Sequence, residues 1–143
     1  MNTKSKSFDK ELTIKSVTGN LTLVRDFVKT AAAKCGFEDE SIEKIVLAVD
    51  EACTNVIKHA YKNSPEGDIT IKVSSSRQKM TVSITDHGSD FDPSLVPEPD
   101  IKEYYRQHKV GGLGLFLMRK LMDEVKYSSA GNKNQVKLIK YLT

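Results

Sequence analysis

Glu51, Asn55 and His59 recur at four-residue intervals, a spacing that sets side chains roughly in line along one edge of a helix. Their types suit work beside a metal-bound phosphate. The carbonyl oxygen of an asparagine can ligate Mg²⁺, a hard cation that prefers oxygen and usually keeps several waters. A glutamate can take the proton of an attacking hydroxyl, given the right position and pKa. The competing reading is a solvated helix face, and a lone histidine near a helix end is more often structural than functional. Asp50 and Glu51 do not form a carboxylate pair, because adjacent helix positions point about 100° apart.

Two glycine-bearing segments add to this set. In Asp86-His87-Gly88 the carboxylate can accept a hydrogen bond from an exocyclic amine such as that of adenine. Gly88, lacking Cβ, lets the chain turn and a flat ring come close. A plain strand-ending turn is the alternative. Gly111-Gly112-Leu113-Gly114 precedes a helical pattern, so its backbone N–H groups and the helix dipole can meet phosphate oxygens. It lacks the Lys-Ser/Thr ending of a P-loop and follows no strand, which disfavours both P-loop and dinucleotide-binding folds.

These residues need elements to hold them. Phe8 to Val17 alternates as a strand, and Gly19-Asn20 breaks it. Leu21, Val24, Phe27, Val28, Ala31 and Ala32 repeat at helical spacing and stop at Gly36. Glu38, Asp39 and Glu40 favour a second helix start. From Ile42 to Ala60 an apolar stripe predicts a helix of about five turns. Ile69, Ile71, Val73 and Met80, Val82, Ile84 form a predicted hairpin. Residues 92 to 110 hold three prolines among charged residues, a loop of functional length. Leu115 to Met122 predicts a helix, and Val125 to Ser129 with Gln135 to Tyr141 predict two strands around Gly131-Asn132. The order β-α-α-β-β-loop-α-β-β predicts an α+β, two-layer sandwich with helices on one face of a mostly antiparallel sheet.

The chain has 143 residues and a formal net charge of +3, which fits one domain spanning 1–143 and calls for neither nucleic acid nor an anionic membrane. Cys35 and Cys53 have no metal-binding or redox spacing, which suits a reducing interior. No signal peptide or membrane-length apolar run is present, so the expected location is cytoplasmic.

Taken in order, Glu51-Ala52-Cys53-Thr54-Asn55 with His59-Ala60-Tyr61, then Asp86-x-Gly88, then Gly112-Leu113-Gly114-Leu115 resembles the three boxes of the Bergerat-type ATPase fold. The forms A-V-D-E-A-C-T-N-V-I-K-H-A-Y and G-G-L-G-L-F-L-M-R-K-L-M-D-E-V resemble the small bacterial anti-sigma-factor serine/threonine kinases within it. The resemblance covers almost the whole chain. It implies ATP and Mg²⁺ as cofactors, with Asn55 on the metal and Glu51 as general base. Asp86 would hold the adenine amine, Gly88 would shape the pocket, and Gly112 and Gly114 would line the phosphate site. Residues 92–110 would form the ATP lid, with Arg106 or Lys109 reaching the terminal phosphate. The implied activity is phosphorylation of a serine on an anti-anti-sigma-type antagonist, in a circuit that can include a sigma factor, by a homodimer. The alternative is a nucleotide-dependent binding module without turnover. A histidine-kinase half is disfavoured, since no segment bearing a phosphoacceptor histidine precedes the domain. One departure stands out: where many relatives place a threonine near the adenine, this chain has Asn134.

Overall fold

A computed structural model describes residues 8–89 and 118–142. In chain order they form β1 (Phe8–Lys15), a 3-10 turn (Thr18–Asn20), α1 (Leu21–Cys35), α2 (Asp39–Asn55), a π-helical turn (Val56–Ala60), β2 (Asp68–Ser75), β3 (Lys79–Asp86), β4 (Glu124–Ala130) and β5 (Lys133–Tyr141). Residues 118–121 are helical. The predicted α+β order holds across the described residues. The predicted lid (92–110), Lys109, Arg106, Gly112 and Gly114 lie outside them.

The five strands pair in the order β1-β2-β3-β5-β4, and all four pairings are antiparallel. Alternation explains the two faces. Ile69, Ile71 and Val73 of β2 and Met80, Val82 and Ile84 of β3 are fully buried, whereas Thr70, Lys72, Thr81, Ser83 and Thr85 point the other way onto an open polar surface. The helices cover the apolar face. Leu21, Val24, Val28, Ala31 and Ala32 of α1 and Ile45, Ala48, Val49, Ala52 and Cys53 of α2 join the strand residues in one core. Burial raises the Cys53 thiol to about 12, the behaviour of an inert core residue.

Local chemistry sets the helix ends. Gly36 closes α1 with φ of 99°, its N–H reaching Ala32 and Ala33, a left-handed cap that glycine takes without a Cβ penalty. Asp39 and Glu40 lie in the first turn of α2, where the dipole favours negative charge. Between the helices, Arg25 Nε donates to Asp50 Oδ1 at 2.7 Å.

One element departs from its expected form. The apolar stripe from Ile42 to Ala60 predicts a single continuous α-helix, but α2 stops at Asn55 and winds into the π turn, where Tyr61 N–H bonds Val56 O at 2.9 Å. The wider turn adds about one residue, and His59 lies within it. Glu51 is half-buried, Asn55 buried and His59 exposed.

Candidate functional site

The site grows from two ends: the end of α2 with its π turn, and the end of β3. Asn55 is the last residue of α2 and is 8% exposed, so it is no part of a solvated face. Asp86 is the last residue of β3 and is 4% exposed. Both line one pocket, together with Ala52, Ile84, Met118 and Val136. A mostly apolar cleft with a few convergent polar groups is the usual form of a small-molecule site.

Backbone packing joins the two ends. Ser89 N–H donates to Ala60 O at 2.8 Å. Gly88 lies so close to the π turn that an added Cβ would fall 2.5 Å from Ala60 O and 2.6 Å from its carbonyl carbon. Only glycine fits there. The sequence assigns this glycine to a ring-accommodating turn; its structural role is to let the strand end abut the helix end.

Asp86 is held in place by hydrogen bonds to a single oxygen. Gly88 N–H donates to Oδ1 at 2.9 Å and Asn134 Nδ2 to the same atom at 3.0 Å. Among the described residues no donor reaches Oδ2. Asn134, 3% exposed, also donates toward Gly88 O at 3.1 Å and Ser89 O at 3.4 Å, and its own oxygen accepts from Ser129 Oγ at 2.7 Å. The sheet register brings these groups together: Asp86 pairs with Asn134, and Asn134 with Ser129.

Tyr61, just past the π turn, fastens the other side of the 86–88 turn. Its hydroxyl donates to Asp68 O at 2.7 Å and accepts from His87 N–H at 2.8 Å. The His87 ring bonds Asn132 O through Nδ1 at 3.0 Å. Sequence reasoning singled out Asn134 only as a departure, named Tyr61 within a motif without giving it a role, and missed Ser129. Serine and tyrosine carry no spacing signal here, and the contacts depend on strand register.

Glu51 stands one turn before Asn55 but is not among the residues lining the pocket. Burial pushes its carboxyl above the usual carboxylate range; the Asp50 carboxylate adds to the rise and Lys58 opposes it. Such a group is a stronger proton acceptor than an exposed glutamate. The structure therefore brings Asn55 and Asp86 to one pocket, packs Gly88 against Ala60 of its lining, and leaves Glu51 outside the lining, one turn before Asn55. Among the described residues no cluster of three or more His, Cys, Asp or Glu could hold a metal ion.

Both the sequence and the fold have counterparts among known proteins. Residues 14–140 match the family described as histidine kinase-like ATPase domain. A serine-protein kinase RsbW of Listeria monocytogenes is 39% identical over 99 residues, covering 66% of this chain and 63% of the relative. The chain thus aligns with slightly under two thirds of that protein's length. The RsbW of Bacillus subtilis is 34% identical over 125 residues, covering 84% of this chain and 77% of the relative. Among solved structures, the RsbU and RsbW domains of a Mycobacterium tuberculosis protein superpose with a TM-score of 0.66 at 17% identity, over 93% of this chain and 32% of that one. The SiaB-SiaC complex of Pseudomonas aeruginosa gives 0.61 at 12% identity, over 90% and 88%. These two likenesses concern the fold.

Proposed function

This chain belongs to the histidine kinase-like ATPase family, and on that premise we propose that it is an ATP-dependent serine/threonine-protein kinase acting as an anti-sigma factor. The observation that carries the reading is the shared pocket of Asn55 and Asp86, one from a helix end and one from a strand end. The Asp86 carboxylate accepts from the adenine amine. Asn55 offers an oxygen of the kind Mg²⁺ prefers, and a single protein oxygen suffices when phosphates and waters complete the shell. When bound, Mg·ATP supplies the phosphoryl group and the charge neutralisation that dominates such transfers. Glu51 takes the proton of the incoming serine hydroxyl, its raised basicity suiting that task.

The substrate is a serine on an anti-anti-sigma-type antagonist, in keeping with the names of the serine-protein kinase relatives. Phosphorylation adds roughly two negative charges, enough to break a packed interface. We assign the finer points on the same footing: a sigma factor as second partner, a homodimer, and a cytoplasmic location. No helix of the described residues is long and apolar enough to cross a membrane. Gly112 and Gly114 would face the phosphates and Lys109 the terminal phosphate.

Transfer of label from γ-labelled ATP to a candidate antagonist tests this. The expected result is transfer by the native chain and its loss in Glu51→Ala, with ATP binding retained. ATP binding without transfer to any candidate favours the rival reading, a nucleotide-dependent binding module. The position of Glu51 outside the pocket lining is the observation on that side.

A further inference from the structure

We propose that Arg25 and Asp50 form a positioning pair for Glu51, in which α1 pins and neutralises the carboxylate next to the base and so eases the ionisation of that base. The inference rests on the reading of Glu51 as general base. Arg25 of α1 meets Asp50 of α2, its Nε donating to Oδ1 at 2.7 Å. A charge-assisted bond of this kind fixes where the carboxylate points as well as offsetting its charge. Asp50 is also the chain neighbour of Glu51. Adjacent helix positions diverge by about 100°, so the two carboxylates do not meet directly, yet each lies within reach of the other's charge.

The pair sits on the flank of the two helices, in a groove lined also by Lys29, Glu43 and Leu47. Neither member lines the pocket of Asn55 and Asp86, so its influence on transfer runs through Glu51. Burial comes first in raising the Glu51 carboxyl, the Asp50 charge adds to the rise, and Lys58 of the π turn opposes it. Lys29 and Glu43, the other charged groups of the groove, carry opposite signs. Without Arg25, Asp50 keeps its whole charge and loses the bond that holds it against α1. A bare anion beside Glu51 favours the protonated form of the base. Without Asp50, Glu51 loses its like-charged neighbour and ionises more readily.

The rival explanation is an ion pair that only ties α1 to α2. Breaking a tie from either side has the same effect, whereas an electrostatic role gives opposite signs. Arg25→Gln and Asp50→Asn each break the pair. In the native chain and both variants, the Glu51 carboxyl carbon is titrated by NMR without nucleotide, and phosphoryl transfer is followed against pH.

The midpoint of Glu51 is expected to rise by about half a pH unit in Arg25→Gln and to fall by about as much in Asp50→Asn. On the acid limb of the rate profile, transfer should be about threefold slower in the first variant and about threefold faster in the second. Both side chains reach solvent, and exposed ion pairs contribute little to stability, so both variants should fold; if one does not, the direction of the other decides. Midpoints that move the same way, or stay where they are, overturn the inference. Opposite midpoint shifts that the rate limbs ignore, or that come with no transfer at all, overturn instead the reading of Glu51 as base.

Discussion

Burial at Glu51 bears on stability as well as on the chemistry proposed for it. Its carboxyl is held above the ordinary range chiefly by burial, so the folded protein keeps a proton that the unfolded chain has already released. The penalty is absent below the unfolded pKa and complete once pH rises through the folded value. At neutral pH the native carboxylate is therefore mildly destabilising, the more mildly because the residue is only half-buried. Glu51→Gln should raise Tm slightly at pH 7.5 and leave it unchanged near pH 4. In the same variant, phosphoryl transfer should fall by roughly 10²–10⁴-fold. The native rate should climb with pH through the raised pKa, and any residual rate in the variant should lose that limb. Thermal melts at the two pH values and a pH–rate profile check both halves. A variant less stable than the native chain at pH 7.5 would contradict the burial argument.

At the scale of elements, the turn after β3 depends on groups drawn from separate parts of the chain. Tyr61 bridges Asp68 O and His87 N–H with a single hydroxyl. Tyr61→Phe removes that bridge and should lower stability by about 1 kcal/mol. It should also weaken ATP binding severalfold, since the 86–88 turn loses one of its fastenings. Urea unfolding with an ATP titration measures both, and unchanged affinity would free the turn from Tyr61. The strands and both helices were legible because their apolar periods differ so clearly, two residues in Ile69–Val73 and three to four in Ile42–Cys53. The π turn was not legible. Val56, Ile57 and Ala60 fit an α-helical stripe as well as a π one, and five residues are too few to separate the two periods. Asn55 and Asp86 were legible as candidates from type and order. The burial of Asn55 was not, because a polar residue off the apolar stripe reads equally well as solvated until its neighbours are placed; Asp86 instead continues the buried alternation of Met80, Val82 and Ile84. The Ser129–Asn134–Asp86 row depends on a register that only the paired strands define.

For the molecule as a whole, a ligand gripped between a helix end and a strand end should hold the two layers together. At a hundredfold excess over its dissociation constant, Mg·ATP should stabilise the native chain by about 2.7 kcal/mol, which shifts Tm by roughly 10 °C. Asn55→Ala should lose the Mg²⁺-dependent part of that shift and retain the part given by nucleotide alone. Thermal melts with ATP, with and without the cation, separate the two; an undiminished Mg²⁺ effect would remove Asn55 from the metal. The meeting of Gly88 with the Ala60 main chain has a consequence for how such a domain can diverge. With Gly88 at that joint, the span from the Asp86 carboxylate to the Asn55 amide is a fixed length of scaffold. Replacing residues around the cleft can retune its preferences while the span stays the same. Inserting even one residue into 56–60 or 86–88 would change the size of molecule that fits.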